Sequence, residues 1–154
     1  MEPAKIREMV SHYEHKSSYG AEPFFYEIKA LGEEVLPYFI EAYPISKRWQ
    51  QRASFLYRAV SYANISSNAV KLALLALSDK SKEVRYRACM LLACSQNKEV
   101  LPNLYQAIKT ANPGTQADIA AAIDAIESGN HNYFVDRSHS GNVKLNFQGK
   151  ENAT

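Results

Sequence analysis

Apolar side chains recur at spacings of three, four and seven residues in three stretches: LGEEVLPYFIEAY at 31–43, SNAVKLALLAL at 67–77 and NKEVLPNLYQAIK at 97–109. Stacked with Glu33 over Ser67 over Lys98, they bring Leu36, Val70 and Leu101 into one column. Phe39, Ala73 and Leu104 form the next, then Ile40, Leu74 and Tyr105, then Tyr43, Leu77 and Ile108. One apolar stripe with a polar remainder predicts an amphipathic helix in each stretch. Ala42, Ala76 and Ala107 share a further column, small residues where helices can approach closely.

A second set of helices alternates with the first. WQQRASFLYRAV from 49, VRYRACMLLAC from 84 and ADIAAAIDAI from 117 place Ala53, Ala88 and Ala121 in register. Two helix types alternating with a period of about 31–35 residues predict an all-α fold, an α–α superhelix of about 3.5 helical pairs. The string EVLP recurs because two such units separate its copies. Pro37 and Pro102 belong in first helical turns, where the amide that proline lacks would have no intrahelical acceptor. Gly32 ends the helix before the first copy, and Asp79 or Ser81 caps the helix carrying Val84. The expected elements are a leading helix at 3–16, pairs at 22–31 with 34–43, 47–63 with 67–78 and 82–96 with 99–110, and a last helix at 115–128 stopped by Gly129.

The period breaks after that. Tyr133 and Val135, then Val143, Leu145 and Phe147, alternate around a Ser-Gly-Asn turn, which predicts a small C-terminal β-hairpin at 131–147. Two strands alone are barely stable in water, so the hairpin is expected to cover the open end of the last repeat. The organisation expected is helical repeats over 1–130, a hairpin cap over 131–147 and a polar, disordered tail over 148–154.

Composition narrows the class. Of 154 residues, 46% are hydrophobic and 22% charged, ordinary values for one globular domain. Only six glycines and six prolines argue against a strand-and-turn sandwich, and ten tyrosines suit half-buried grooves and interfaces. The N-terminus has no apolar core of a signal peptide, and LALLAL at 72–77 is too short to cross a bilayer. Cys89 and Cys94 lie on different faces of one helix and read as reduced core residues, which places the protein in the cytoplasm. The net charge of +2 conceals an uneven distribution. Nine of the 18 basic residues (Lys47, Arg48, Arg52, Arg58, Lys71, Lys80, Lys82, Arg85 and Arg87) fall in 44–97, which holds two acidic residues. That segment is either a solvated helix surface or a patch for an acidic partner.

The residues at 77–110 carry a more specific signal. LSDKSKEVRYRACMLLACSQNKEVLPNLYQAI resembles a HEAT repeat of the short bacterial type through Asp79, Val84, Arg85, Ala88, Leu92, Leu101, Leu104 and Ile108. At 46–78 Trp49 and Gln50 stand in place of the Val-Arg pair, and Pro44 in place of the aspartate. The resemblance implies an aspartate–arginine bond between neighbouring repeats, and second helices that line a concave, partner-binding face. On that face it implies Tyr38, Glu41, Lys71, Leu72, Leu75, Asn103 and Gln106. Leu72 and Leu75 are expected to form an apolar strip there, unless the leading segment or the hairpin folds over them.

Chemistry is sparse. The chain has no glycine-rich phosphate loop, CxxC pair or HExxH motif. His12 and His15 could reach one metal, but no Cys or third His completes the set and Glu8 or Glu14 would have to serve, so they read as surface histidines. Neither a catalytic residue, a metal nor a cofactor is expected. The fold class and size point to a non-catalytic protein-binding scaffold. Small bacterial HEAT proteins of this size resemble immunity proteins that block a cognate polymorphic toxin, so a toxin domain is the expected partner. Arg48, Arg52, Asp136, Arg137 and His139 form possible secondary contacts. The alternative is nucleic-acid binding by the basic middle, with Trp49 and tyrosines for stacking. A third possibility is a lyase-like chaperone for a tetrapyrrole.

Overall fold

The structure, a computed structural model, describes residues 1–14 and 24–147. Eight α-helices are found among them: α1 Pro3–His12, α2 Phe25–Leu31, α3 Leu36–Ala42, α4 Trp49–Ala59, α5 Ser67–Ala76, α6 Lys82–Ser95, α7 Leu101–Ile108 and α8 Pro113–Glu127. Short 3-10 turns lead into α3 and α7 and follow α3 and α4. His15 and the tail at 148–154 lie outside the described residues.

The expected starts hold for a physical reason. Pro37 and Pro102 occupy the first turns of α3 and α7. Val35 and Val100, the valines of the two EVLP strings, are both buried beneath those turns. Gly32 takes a positive φ of 60° at the end of α2, a conformation that costs other residues a Cβ clash. The Ser81 hydroxyl caps α6 by accepting the Val84 amide at 3.5 Å, and Asn112 caps α8 by accepting the Thr115 amide at 3.0 Å. The leading helix stops short of 16. Its buried stripe is Ile6, Met9 and Val10, and Tyr13 is already extended. The Gln51 side-chain amide closes that end, donating to the Ser11 carbonyl at 2.9 Å with those of Val10 and Tyr13 at 3.4 and 3.3 Å.

One core runs through the stack. Its N-terminal half is aromatic: Tyr13 stacks on Phe39 at 5.7 Å and Phe39 on Phe55 at 4.7 Å. All three are fully buried, and each such ring contributes about 1.5–3 kcal/mol by burial. Further along, the core turns to small and aliphatic residues, Ala88, Leu91 and Leu92 of α6 against Ile119, Ala122 and Ala125 of α8.

The repeat register differs from the alanine columns. Ala88 is fully buried, whereas Ala53 lies at the surface of a cleft. The residue equivalent to Ala88 is Phe55, also fully buried. Arg52 and Arg85 confirm the shift, for each donates from Nη1 to a carbonyl six residues before it, Ser46 at 3.0 Å and Asp79 at 2.7 Å. The period between these units is therefore 33 residues, and Arg52, not Gln50, holds the arginine position.

The C-terminal β-hairpin is not formed. Among the described residues there is no strand, and 131–147 begins with a 3-10 turn, His131–Phe134, and continues as irregular chain. Side chains bind the amides that strands would have paired. The buried Asp136 carboxylate accepts the Ser140 and Gly141 amides at 3.0 and 2.8 Å, and Asn132 Oδ1 accepts the Leu145 amide at 2.9 Å. The alternating pattern also misjudged the inward residue. Phe134 is fully buried while Val143 is exposed. The segment still packs on α8 and α6, with Phe134 5.2 Å from the Tyr86 ring.

Candidate functional site

Among the first helices of the pairs α4 packs on α6 and α6 on α8; among the second, α3 packs on α5, whereas α5 and α7 make at most marginal contact. A cleft of about 920 Å³ lies along α4 and α6, lined by Trp49, Gln50, Ala53, Ser54 and Tyr57 of α4 and by Lys82, Glu83, Arg85, Tyr86 and Arg87 of α6. Asn112, Gly114, Thr115 and Asp118 close one end and Glu14 the other. Trp49 also borders a smaller hollow of about 350 Å³ beside Lys47, Lys80 and Lys82.

Three aromatic side chains stand exposed in the cleft: Trp49 at 42%, Tyr57 at 37% and Tyr86 at 36%. They are carried on helix backbones and so are held at fixed separations. The Arg87 guanidinium lies over the Tyr57 ring, 5.2 Å from its centre. The carboxylates that line the cleft are engaged within the protein. Glu14 pairs with Arg48 at 2.9 Å, Asp118 with Arg137 at 3.0 Å, and Glu83 accepts the Ser81 hydroxyl at 3.0 Å. The Glu83 carboxyl is held below its ordinary range by its own amide and then by that hydroxyl.

Beneath the cleft, two equivalent arginines meet different partners. Arg52 is buried and forks onto Asp79, from Nε at 2.8 Å and Nη2 at 3.1 Å. Asp79 also accepts the Tyr43 hydroxyl and the Ser81 amide. Burial opposes the Asp79 charge, but the bonds from Arg52, Tyr43 and Ser81 outweigh it and hold the carboxyl below the usual carboxylate range. Burial, followed by the bond to Asp79, pushes the Tyr43 hydroxyl well above the ordinary tyrosine range. Asp79 lies 27 residues after Arg52. The same step from Arg85 reaches Asn112, which is neutral. Arg85 Nε instead donates to the Thr115 hydroxyl at 2.8 Å.

The residues expected on the second helices do not come together in this cleft. Tyr38 and Glu41 belong to the junction of α3 with α1, where Arg7 lies over the Tyr38 ring at 5.5 Å and pairs with Glu41 at 3.0 Å. Lys71, Asn103 and Gln106 are exposed on α5 and α7. Leu75 is 45% exposed, but Leu72 is fully buried, so the two leucines form no accessible strip. Leu72 points into the core because α5 packs on both α3 and α6 and has a wide apolar face.

Of the secondary candidates, Arg48 and Arg137 reach the cleft only through their pairs with Glu14 and Asp118. Arg52 and Asp136 are buried and structural. His139 bonds Asp124 at 2.6 Å and stacks on Tyr133 at 3.7 Å. Sequence reasoning placed Arg85 in the repeat pattern, Arg85 and Arg87 in the basic patch and Trp49 in the nucleic-acid alternative, and did not single out Tyr57 or Tyr86. The spacing of Arg52 and Arg85 was the available signal.

Catalytic options are few. Cys89 is buried, and desolvation pushes its thiol up to about 12, far from a reactive thiolate. Among the described residues no group of three or more His, Cys, Asp and Glu is placed to hold a metal ion. No described helix is long and apolar enough to cross a membrane.

Comparison with known proteins supports the same architecture. Residues 70–132, from α5 through α8, match the family model of HEAT repeats. No curated protein and no solved structure matches the chain.

Proposed function

We propose that this chain is a non-catalytic protein-binding module whose binding surface is the aromatic cleft of α4, α6 and α8. HEAT repeats generally mediate protein–protein interactions. The observation that carries the reading is the exposure of Trp49, Tyr57 and Tyr86 within one cleft of about 920 Å³ on rigid helices. Aromatic side chains held open in a concave site supply large apolar area at little entropic cost, and such residues dominate binding energy at protein interfaces. The paired carboxylates at the ends of the cleft supply a polar rim.

In its finer form the proposal takes the partner to be a toxin domain and the protein to be a cytoplasmic bacterial immunity protein that covers the toxin's active site. That form rests on size and degenerate repeats, which is analogy of type. The test is affinity capture with the intact chain and with Trp49→Ala and Tyr86→Ala in parallel. A toxin domain encoded beside this gene should bind the intact chain at a stoichiometry of one to one and lose that binding in both variants. Binding that survives both substitutions would remove the cleft from the account. A neighbouring gene without a toxin domain would remove the immunity role.

The basic middle is less available to nucleic acid than its composition implies. Arg52 is spent on Asp79 and Arg48 on Glu14.

A further inference from the structure

The two arginine positions of the repeat differ in one respect that bears on the partner. Arg52 has its carboxylate, Asp79, and both are buried, with side-chain exposures of 6% and 5%. Arg85 has the same backbone anchor six residues back, but the position that would supply its carboxylate is Asn112. The Asn112 side-chain oxygen is taken by the Thr115 amide. Arg85 therefore meets a hydroxyl and a carbonyl, both neutral, and no carboxylate lies within ion-pair distance of it among the described residues. Arg85 is half-buried and lines the cleft. Glu83 acts on it only through space, and a guanidinium partly removed from water with no carboxylate in contact keeps an unmet demand for one.

We propose that Arg85 is the anion anchor of the cleft, and that the partner presents it with one aspartate or glutamate flanked by apolar side chains that lie on Trp49 and Tyr86. This rests on the reading of the cleft as the binding surface and specifies what that surface recognises. Nε and Nη1 are already directed to Thr115 and Asp79, which fixes the guanidinium plane and leaves Nη2 for an incoming carboxylate. Lys82 and Arg87 line the same wall and add to the positive potential. A nucleic-acid strand fits less well. Its evenly spaced phosphates would have to pass Glu14, Glu83 and Asp118, which line the same cleft.

The test uses the full chain as bait for a displayed library of random 12-residue peptides, followed by calorimetric titration of the selected peptides. Enriched peptides should share an Asp or Glu beside apolar residues. Changing that acid to its amide should weaken binding about tenfold or more. Asn112→Asp, which supplies the missing internal carboxylate at a position where aspartate is also a good cap, should weaken the acidic peptide to a similar degree. It should leave the amide version unaffected. Arg85→Gln should behave as Asn112→Asp does, and the cap variant keeps the test intact if Arg85→Gln folds poorly.

Peptides that lose affinity with Trp49→Ala yet carry no acid, or bind Asn112→Asp as they bind the parent chain, would overturn the anchor and keep the cleft. Peptides indifferent to Trp49→Ala, or no enrichment at all, would overturn both. A 12-nucleotide single-stranded DNA that binds more tightly than every selected peptide would replace both with nucleic-acid recognition.

Discussion

Arg52 and Arg85 occupy the same place in consecutive units and use the same carbonyl anchor, yet they do different work. Arg52 closes on Asp79, Tyr43 and Ser46 in a network with no side-chain charge left over. That network ties α4 to the turn after α5 and to the end of α3, so it fastens one repeat to the next. At Arg85 the acid is replaced by Asn112, and the link across to α8 is a single bond to Thr115. A repeat protein is held together by interfaces between neighbours, so one polar link can be lost while α6 still packs on α8. The contrast separates a rung that stabilises from a rung that remains available to a partner.

The largest expected effect comes from breaking the closed rung. Asp79→Ala leaves Arg52 buried and unpaired, and should cost about 3–5 kcal/mol of unfolding free energy in urea titration. Acidification should erase that difference. The folded pKa of Asp79 lies below the unfolded value of about 3.9, so its contribution is complete above that pH and is lost as pH falls through the folded value. The stability gap between the parent chain and Asp79→Ala should therefore narrow steadily below about pH 4; a constant gap down to pH 2 would show that Asp79 is not acting through its charge. Trp49→Ala should be nearly silent in stability but weaken partner binding by about 2 kcal/mol, measured by calorimetry. The smallest effect belongs to the open rung. Asn112→Asp should raise unfolding free energy by about 1 kcal/mol or less, because the new pair is only partly buried. A gain as large as the Asp79→Ala loss would mean that the two rungs are equivalent after all.

The helices were legible because burial leaves a period of apolar columns that survives sequence divergence, and because Pro37, Pro102 and Gly32 mark their ends. The register of α4 was not. Alanines at 53, 88 and 121 share a letter but not a depth, and only the bonds of Arg52 to Ser46 and Asp79 reveal the true alignment. The tail misled for a related reason. Alternation at 133–147 registers apolar content, but it cannot register that Asp136 and Asn132 capture the amides first. The cleft along α4 and α6 was not legible because it depends on how α4, α6 and α8 pack on one another. That is a property of pairs of helices distant in sequence, and the stripe on any one helix does not encode it. Leu72 shows the limit well: in a single-helix projection it leaves the main stripe, yet α5 has helices on two sides and buries it.

Trp49 is the only tryptophan in the chain, so its fluorescence reports on the cleft and the hollow that adjoins it. Titrating the protein with a partner, or with a peptide selected on the intact chain, and following Trp49 emission together with acrylamide quenching tests the central claim most directly. The account predicts a blue shift and reduced quenching that saturate at one equivalent of partner. Saturated binding that leaves both the emission maximum and the quenching of Trp49 unchanged would place the partner elsewhere and contradict it.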